Sequence, residues 1–339
     1  MKLNMNEWLQ EYKGSPAKKT MPVLSFPGMQ IIGANVDELV HSGELQAKCM
    51  KAIADRYDAA AAVSLMDLSV ESEAFGSAVR FTEEEPPAVT DCIVETLEDA
   101  QALAVPAVGT ARTSECIKGI NLASEMITDR PILAGVIGPF SLIGRLKDMQ
   151  KVMIDCRRNP ELLRVLLEKA TAFITGYILA LKEAGANGVV IAEPAAGLLA
   201  PKFNKEFSIP YVEKIREAVE DESFLVVYHN CGNTIPLLAD IAELTNLRVI
   251  HLGNAIDIEE ALKILPARIL VMGNVDPANV FRMGTPELVE ETTTNLLERC
   301  SKYDNYAISS GCDIPPTTPL ENIDAYFNAV AKFYAEKNN

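Results

Sequence analysis

The chain has few aromatic side chains, few histidines and no long apolar run. Aromatic residues make up 6% of its 339 residues, and there are three His. No segment approaches the roughly 18 consecutive apolar residues that cross a bilayer, and the polar start of the chain lacks the apolar centre of a secretory signal. The sequence therefore predicts neither a membrane-spanning nor an exported protein, and we expect it in the cytoplasm.

Cysteine is too scattered for a disulfide framework. The seven Cys are an odd number spread over a long chain, which favours reduced thiols in the cytoplasm, a few of which act as ligands. Five of them lie on predicted helices, where packing is the usual role of a free cysteine: Cys49, Cys92, Cys116, Cys156 and Cys300.

Positive charge is also scarce. Lys and Arg number 31 against 47 Asp and Glu, a formal net charge of -16. A surface this acidic repels the phosphate backbone, so nucleic acid is not an expected partner. Hydrophobic residues are abundant at 48%, and the small aliphatic types that dominate them suit parallel strands covered by helices.

Short apolar runs alternate with longer amphipathic segments along the whole chain. The predicted strands are 22–27, 59–66, 132–138, 188–192, 224–229, 248–252, 269–273 and 306–310. The predicted helices are 43–57, 91–104, 113–127, 146–155, 159–185, 202–220, 234–245, 257–264, 286–302 and 319–335. Such alternation implies a parallel sheet with right-handed crossovers. Eight units fit an α/β fold of the (β/α)8 TIM-barrel type, with an open doubly wound sheet as the competitor.

The predicted organisation is a single domain over residues 1–339 with an N-terminal arm. Residues 67–131 interrupt the alternation with prolines and two helices. We interpret this stretch as an insertion after the second strand that folds over the mouth of the barrel. No internal repeat or flexible linker divides the chain.

Polar residues recur where the predicted strands end, which is where barrels of this type place their functional groups. The sharpest element is His229-x-Cys231. Side chains alternate along a strand, so both residues point to the same side. Cys312 follows the eighth strand and is the natural third ligand of a zinc site with an open fourth position. The alternative is a hydrogen-bonded core imidazole and two buried thiols.

Other residues at these ends have several open interpretations. Glu193 has three open roles: it is the fourth ligand of the zinc site, a catalytic base or the cap of the next helix. Asp67 is a second candidate catalytic carboxylate. His251 is a rival ligand, a hydrogen-bonding group or a substrate-facing group. Asp313 is a candidate acceptor that supports a ligand from behind.

A further group of residues is expected near a cofactor. Asn254, Asn274 and Asp276 are candidates for cofactor binding, although Asn274 and Asp276 fit hydrogen bonding within the barrel rim at least as well, because Asp-Pro commonly opens a turn.

Five segments carry a resemblance to a known family. Residues 228–234 (YHNCGNT), 273–277 (GNVDP) and 310–316 (SGCDIPP) resemble the uroporphyrinogen decarboxylase superfamily, in particular its methylcobamide:thiol methyltransferase branch. Residues 67–76 and 138–142 are similar to that branch too. The resemblance implies a (β/α)8 barrel and a zinc ion held by His229, Cys231 and Cys312.

The resemblance also implies an activity, namely transfer of a methyl group from a methyl-corrinoid to a zinc-activated thiol such as coenzyme M. Glu71 and Glu73 would then face either the corrinoid or solvent. No Asp-x-His-x-x-Gly motif for corrinoid binding is present, so the donor is expected on a separate corrinoid protein or as free methylcobalamin. A decarboxylase of a tetrapyrrole acid is the alternative, but residues 24–30 (LSFPGMQ) lack the arginines of that branch. A non-enzymatic corrinoid carrier is the third hypothesis.

Overall fold

The computed structural model describes residues 3–243 and 247–337. Within these residues the strands are β1 (Ala62–Val63), β2 (Val79–Arg80), β3 (Ala88–Val89), β4 (Ile132–Ile137), β5 (Gly188–Ala192), β6 (Leu225–Asn230), β7 (Val249–Leu252), β8 (Leu270–Val275) and β9 (Tyr306–Ser310).

Helices separate most of the strands. They are α1 (Met5–Gly14), α2 (Met29–Ile32), α3 (Val36–Val40), α4 (Gly43–Arg56), α5 (Val70–Ala74), α6 (Leu97–Ala102), α7 (Thr113–Met126), α8 (Pro139–Leu146), α9 (Met149–Arg158), α10 (Pro160–Glu183), α11 (Pro201–Phe207), α12 (Ile209–Val219), α13 (Leu238–Ala242), α14 (Ile258–Ile264), α15 (Pro286–Cys300) and α16 (Leu320–Lys337). In the described part of the chain, no helix has the length and apolar character that crossing a membrane requires.

Seven strands form one parallel sheet in the order β1-β4-β5-β6-β7-β8-β9. The order follows the chain without reversal, whereas a doubly wound sheet reverses direction at a switch point. Each strand pairs in parallel with the next, as in Ala192 beside His229 between β5 and β6. The competing doubly wound arrangement is thereby excluded.

The prediction of a regular first strand at 22–27 is wrong. Pro22 and Pro27 have no N–H to donate, so a continuous ladder cannot form there. The segment nevertheless lies between the two outer strands of the sheet. The amide of Met21 donates to the carbonyl of Ile308 at 3.2 Å, and the amide of Ala60 donates to the carbonyl of Thr20 at 2.9 Å. An irregular segment therefore occupies the position of the first barrel strand, between β9 and β1. The predicted TIM barrel is confirmed.

Three predicted helices are corrected by the structure. The helix 202–220 is divided into α11 and α12 because Pro210 cannot donate the hydrogen bond that would continue the first helix. The helix 91–104 begins only at Leu97, where Thr96 caps it, so Cys92 lies in an exposed non-helical segment. The helix 234–245 is shortened to α13 and a preceding 3-10 turn, and its last two positions lie outside the described residues.

Alternation along β6 directs its side chains to two different cores. Leu225 and Val227 belong to the apolar cluster that fills the barrel. Val226 and Tyr228 pack outward against the surrounding helices. His229 continues the inward row, and it lies at the carboxyl end of the strand, where the barrel core gives way to the mouth.

The 67–131 segment reaches over one side of that mouth. Its β2–β3 hairpin pairs antiparallel, with Val79 opposite Val89. Glu85, in the loop of the hairpin, forms an ion pair with Arg282 after β8 at 2.8 Å, and the amide of Val36 donates to the carbonyl of Glu83. The insertion is therefore attached to the loops that follow the first strand position and β8.

Candidate metal centre

His229, Cys231 and Cys312 converge at the mouth of the barrel. One ligand atom from each lies within 4.8 Å of the other two, and His229 Nε2 is 3.6 Å from Cys312 Sγ. His229 ends the inward row of β6, while Cys312 follows β9 three strands further round the sheet. Residues that are 81 or more positions apart in the sequence are thus brought together by barrel closure.

The spacing fits a tetrahedral zinc site. With Zn–N of about 2.0–2.1 Å and Zn–S of about 2.3 Å, a tetrahedral angle separates the two ligand atoms by about 3.6 Å. Three protein donors of the His-Cys-Cys type leave one position for a substrate, which is the catalytic rather than the structural pattern. The donor set and its spacing therefore fit zinc.

The imidazole of His229 is oriented by a carbonyl behind it. Its Nδ1 is 3.3 Å from the carbonyl oxygen of His251. A carbonyl only accepts, so Nδ1 carries the proton and Nε2 is left with its lone pair toward the sulfurs. This carbonyl, and not the Asp313 side chain, fills the supporting position behind His229.

The two thiols share a hydrogen bond. The contact with Cys312 lowers the pKa of Cys231 well below the ordinary thiol value, with His229 adding to the effect. The same contact raises the pKa of Cys312. One thiolate is thus favoured even in the metal-free site, and metal binding displaces the remaining proton.

His251 is not among the clustered ligands and instead ties two strands together. Its Nε2 lies 2.7 Å from the carbonyl oxygen of Ser310 and 3.0 Å from the hydroxyl of Ser309. Burial lowers the pKa of His251 to about 3, so the ring is neutral. Because a carbonyl accepts, the proton lies on Nε2. The hydrogen-bonding interpretation of His251 therefore fits the structure better than ligation.

We expect the substitution His251→Asn to weaken zinc binding about 10- to 100-fold, the range typical of groups that support a ligand. The Nε2–Ser310 bond holds the end of β9 two residues before Cys312, and the shorter asparagine side chain cannot reach the Ser310 carbonyl. Competition with a fluorescent zinc chelator measures the affinity. His41→Asn, at an exposed histidine paired with Asp37, is the matched control. Equal zinc affinity in a folded His251→Asn variant would contradict the role.

Glu193 caps the N-terminus of α8, which lies earlier in the chain. Its carboxylate accepts the amides of Phe140 at 3.0 Å and Ser141 at 2.7 Å, at the N-terminus of α8. Burial raises the pKa of Glu193 to about 6, against the lowering effect of these hydrogen bonds. The predicted capping role thus applies to α8 and not to the next helix, which receives no side-chain cap from Glu193.

Asp67 lies in an ion-pair network that the sequence did not reveal. Its carboxylate forms an ion pair with the guanidinium of Arg112 and accepts a hydrogen bond from the hydroxyl of Ser69 at 2.6 Å. Arg112 also pairs with Glu73 at 2.6 Å, and its guanidinium carbon lies 4.8 Å from the centre of the Phe81 ring. No sequence pattern marks Arg112, which lies 45 positions after Asp67.

Glu71 is buried rather than solvent-facing. One carboxylate oxygen accepts the amide of Ile137 at 3.0 Å, and the other has no partner among the described residues. Burial raises the pKa of Glu71 to about 7; the charge of Asp67 raises it further and that of Arg112 lowers it. The expectation that Glu71 faces solvent is therefore wrong.

The raised pKa of Glu71 predicts a pH dependence of stability. The folded protein holds this proton more tightly than the unfolded chain, so the contribution is complete below about pH 4.5 and is lost as the pH rises through about 7. We expect Glu71→Gln, which keeps the acceptor for Ile137, to be more stable than the wild type at pH 8 and to lose this advantage at pH 5. Urea unfolding at both values measures it. A constant difference would contradict the raised pKa.

The structure places two of the three expected cofactor-binding residues in hydrogen bonds of the barrel rim and leaves the third exposed. Asn274 donates to the carbonyls of Gly253 and Ile256, each at 2.9 Å. Asp276 accepts the amides of Ala278 and Asn279 and so caps the π-helical turn Pro277–Arg282. Both therefore hold the rim of the barrel. Asn254 is exposed at the mouth, beside the glycine that precedes Cys312.

A parallel barrel with a His-Cys-Cys cluster at its mouth has the donor set of a metal centre with one open position. The uroporphyrinogen decarboxylase (URO-D) family model matches residues 17–333. The chain belongs to the uroporphyrinogen decarboxylase family.

Individual relatives fall in both branches of the family. The chain is 29% identical over 261 residues to the methylcobamide:CoM methyltransferase MtbA of Methanosarcina mazei, covering 76% of this chain and 75% of the relative. It is 27% identical to a uroporphyrinogen decarboxylase of Coxiella burnetii, covering 82% and 78%. The structure of a methyltransferase from Methanosarcina mazei superposes with a TM-score of 0.86 at 27% identity and covers 98% of each chain.

Proposed function

We propose that this protein is a zinc-dependent methyltransferase that moves a methyl group from a methyl-corrinoid to a small thiol such as coenzyme M. The observation that carries the proposal is the convergence of His229, Cys231 and Cys312 within 4.8 Å at the mouth of the barrel. The similarity to methyltransferases over most of the chain supports it.

The three ligands define what the site supplies. Zinc held by His229, Cys231 and Cys312 would keep a thiol substrate as its thiolate at neutral pH, since a coordinated thiol loses its proton. In the transfer, the substrate sulfur forms a bond to the methyl carbon while the carbon–cobalt bond breaks. The bonding pair stays on cobalt, which changes from Co(III) to Co(I). The side of the centre facing the mouth receives both substrates.

In this proposal the two candidate catalytic carboxylates position other groups. Glu193 holds the N-terminus of α8 through the amides of Phe140 and Ser141. Asp67 fixes the guanidinium of Arg112 beside the mouth. Asn254, the exposed member of the expected cofactor-binding set, remains available to a corrinoid, while Asn274 and Asp276 maintain the rim.

The partners follow from the reaction. The methyl donor is a corrinoid carried by a separate protein or free methylcobalamin, and the acceptor is a small thiol. We place this reaction in the cytoplasm, where thiols stay reduced. The tetrapyrrole decarboxylase activity is not proposed for this chain, because residues 24–30 lack the arginines that the decarboxylase branch carries there.

Methyl transfer from methylcobalamin tests the proposal. Zinc-loaded wild type is expected to convert methylcobalamin to the Co(I) form, seen as a change in visible absorbance, while mass spectrometry detects the methyl thioether. His229→Ala should lose both the metal and the activity. A wild type that binds zinc but methylates no thiol leaves the site intact and refutes the reaction. A wild type that binds no zinc refutes the whole mechanism.

A further inference from the structure

The ladder of the sheet does not by itself fix the direction of Cys231. The last residue of β6 is Asn230, whose carbonyl accepts the amide of Gly253 from the end of β7 at 3.1 Å. Side chains alternate along a paired, extended strand, and Cys231 follows the last paired residue. The turn after β6 therefore has to direct this ligand.

The side chain of Asn230 builds that turn. Asn230 is fully buried and, as the neighbour of the inward-facing His229, points away from the barrel interior. Its Oδ1 accepts the amide of Gly232 at 2.9 Å, a bond that encloses Cys231 in an Asx turn. Its Nδ2 donates to the hydroxyl of Tyr228 at 3.3 Å. The carboxamide is thus held at both ends, and it joins the backbone on either side of the cysteine.

Glycines from the two neighbouring loops close on the same turn. A Cβ on Gly253, after β7, would lie 2.4 Å from the Cα of Cys231. A Cβ on Gly197, after β5, would lie 2.7 Å from Oδ1 of Asn230 and 2.8 Å from the Cα of Gly232. Backbone therefore packs directly against both sides of the turn, and the side chain that spans it is the group that sets its shape.

We propose that Asn230 is a positioning residue of the metal centre: its bond to the Gly232 amide fixes the turn that brings the Cys231 sulfur into the ligand cluster. There the three ligand atoms lie within 4.8 Å of one another. The inference rests on the proposed function and adds to its zinc centre a residue that does not bind the metal. Both polar atoms of the Asn230 side chain are engaged elsewhere, so Asn230 acts through Cys231.

Two substitutions at Asn230 differ by a single hydroxyl. Serine retains an acceptor for the Gly232 amide in a weaker turn of the same kind, whereas alanine retains none, and both lose the contact with Tyr228. If Asn230→Ala does not fold, Asn230→Leu replaces it, because leucine fills similar space without an acceptor.

Asn305→Ala is the matched control. Asn305 is also buried, and its Nδ2 donates to the carbonyl of Ile269 at 2.9 Å. It directly precedes β9, at the end of the barrel away from the centre. The control therefore loses a buried asparagine hydrogen bond and leaves the turn after β6 intact.

Chelator competition measures the zinc affinity of each protein, and urea unfolding of the metal-free chains measures their stability. Cobalt(II) bound in place of zinc reports the ligands, because thiolate-to-cobalt charge-transfer absorption requires bound sulfur. We expect Asn230→Ala to bind zinc about 10- to 100-fold more weakly, the range for groups that support a ligand, and to lose part of this absorption. Asn230→Ser should recover most of both. Asn305→Ala should be destabilised but keep the wild-type affinity and spectrum.

Wild-type zinc affinity and cobalt spectrum in folded Asn230→Ala would overturn the positioning role. Equal losses in the serine and alanine variants would show that the bond to Gly232 is not the cause. An equal loss in Asn305→Ala would assign the effect to general stability. A wild type that binds no zinc refutes the proposed function and this inference together. A wild type that binds zinc but methylates no thiol refutes the reaction alone, since metal binding is the readout for Asn230.

Discussion

Cys312→Ser and Cys231→Ser are each expected to abolish methyl transfer and to reduce zinc affinity by more than the 10- to 100-fold loss typical of supporting residues. A serine hydroxyl keeps its proton at neutral pH and is a poor zinc ligand, so each variant leaves two effective donors instead of three. Cys312 also contacts both of the other ligands, so its loss affects the whole cluster. Metal analysis after gel filtration, with chelator competition, measures the effect.

Cys92→Ser is the matched control for these variants. Cys92 is exposed and lies outside every helix and strand, so the same atom exchange there should change neither zinc content nor activity. Circular dichroism separates loss of metal from loss of fold. Full zinc occupancy in folded Cys312→Ser would remove Cys312 from the ligand set.

Gly253→Ala is expected to displace Cys231 although it replaces none of the three candidate ligands. A Cβ on Gly253 would lie 2.4 Å from the Cα of Cys231 and 2.8 Å from its carbonyl oxygen. These are backbone atoms that cannot rotate away, so the end of β6 must shift. Overpacking of this kind costs about 1–3 kcal/mol of the free energy of unfolding. The accompanying shift of Sγ should weaken zinc binding, and urea unfolding and chelator competition measure the two effects.

Gly14→Ala tests whether the effect belongs to the close approach and not to glycine replacement in general. Gly14 ends α1, and an added Cβ there would meet nothing within 4 Å. We expect it to be neutral or slightly stabilising, because alanine lowers the entropy of the unfolded chain. Gly253→Ala with wild-type zinc affinity and stability would show that the β6 and β7 ends tolerate separation.

The clustering of His229, Cys231 and Cys312 and the fold class could be predicted because they depend on local patterns. Period-two alternation placed Leu225, Val227 and His229 on one side of β6, and Cys231 followed on that side. Strand–helix alternation predicted the barrel, and seven of the eight strand segments appear in the sheet. The exception, 22–27, shows that apolar content alone does not make a strand where prolines remove ladder donors.

The environment of the centre could not be predicted, because it depends on residues far apart in sequence. Arg112 reaches Asp67 across 45 positions, and Glu193 reaches α8 across 52. The sequence left three roles open for Glu193, and only the packing of α8 against β5 shows which atoms its carboxylate contacts. Nothing in the sequence indicates that Cys231 lies against Gly253.

The sequence by itself determined the elements of this protein: parallel strands, helices and three soft or borderline ligands at strand ends. Tertiary structure decided how those ends meet. Closure of the sheet through the irregular segment at Met21 brings the end of β9 toward that of β6, and the carbonyl of His251 selects the nitrogen that faces the sulfurs. The physical reason is that side-chain direction is a local property of the backbone, whereas ligand distances and electrostatics arise from contacts between distant segments.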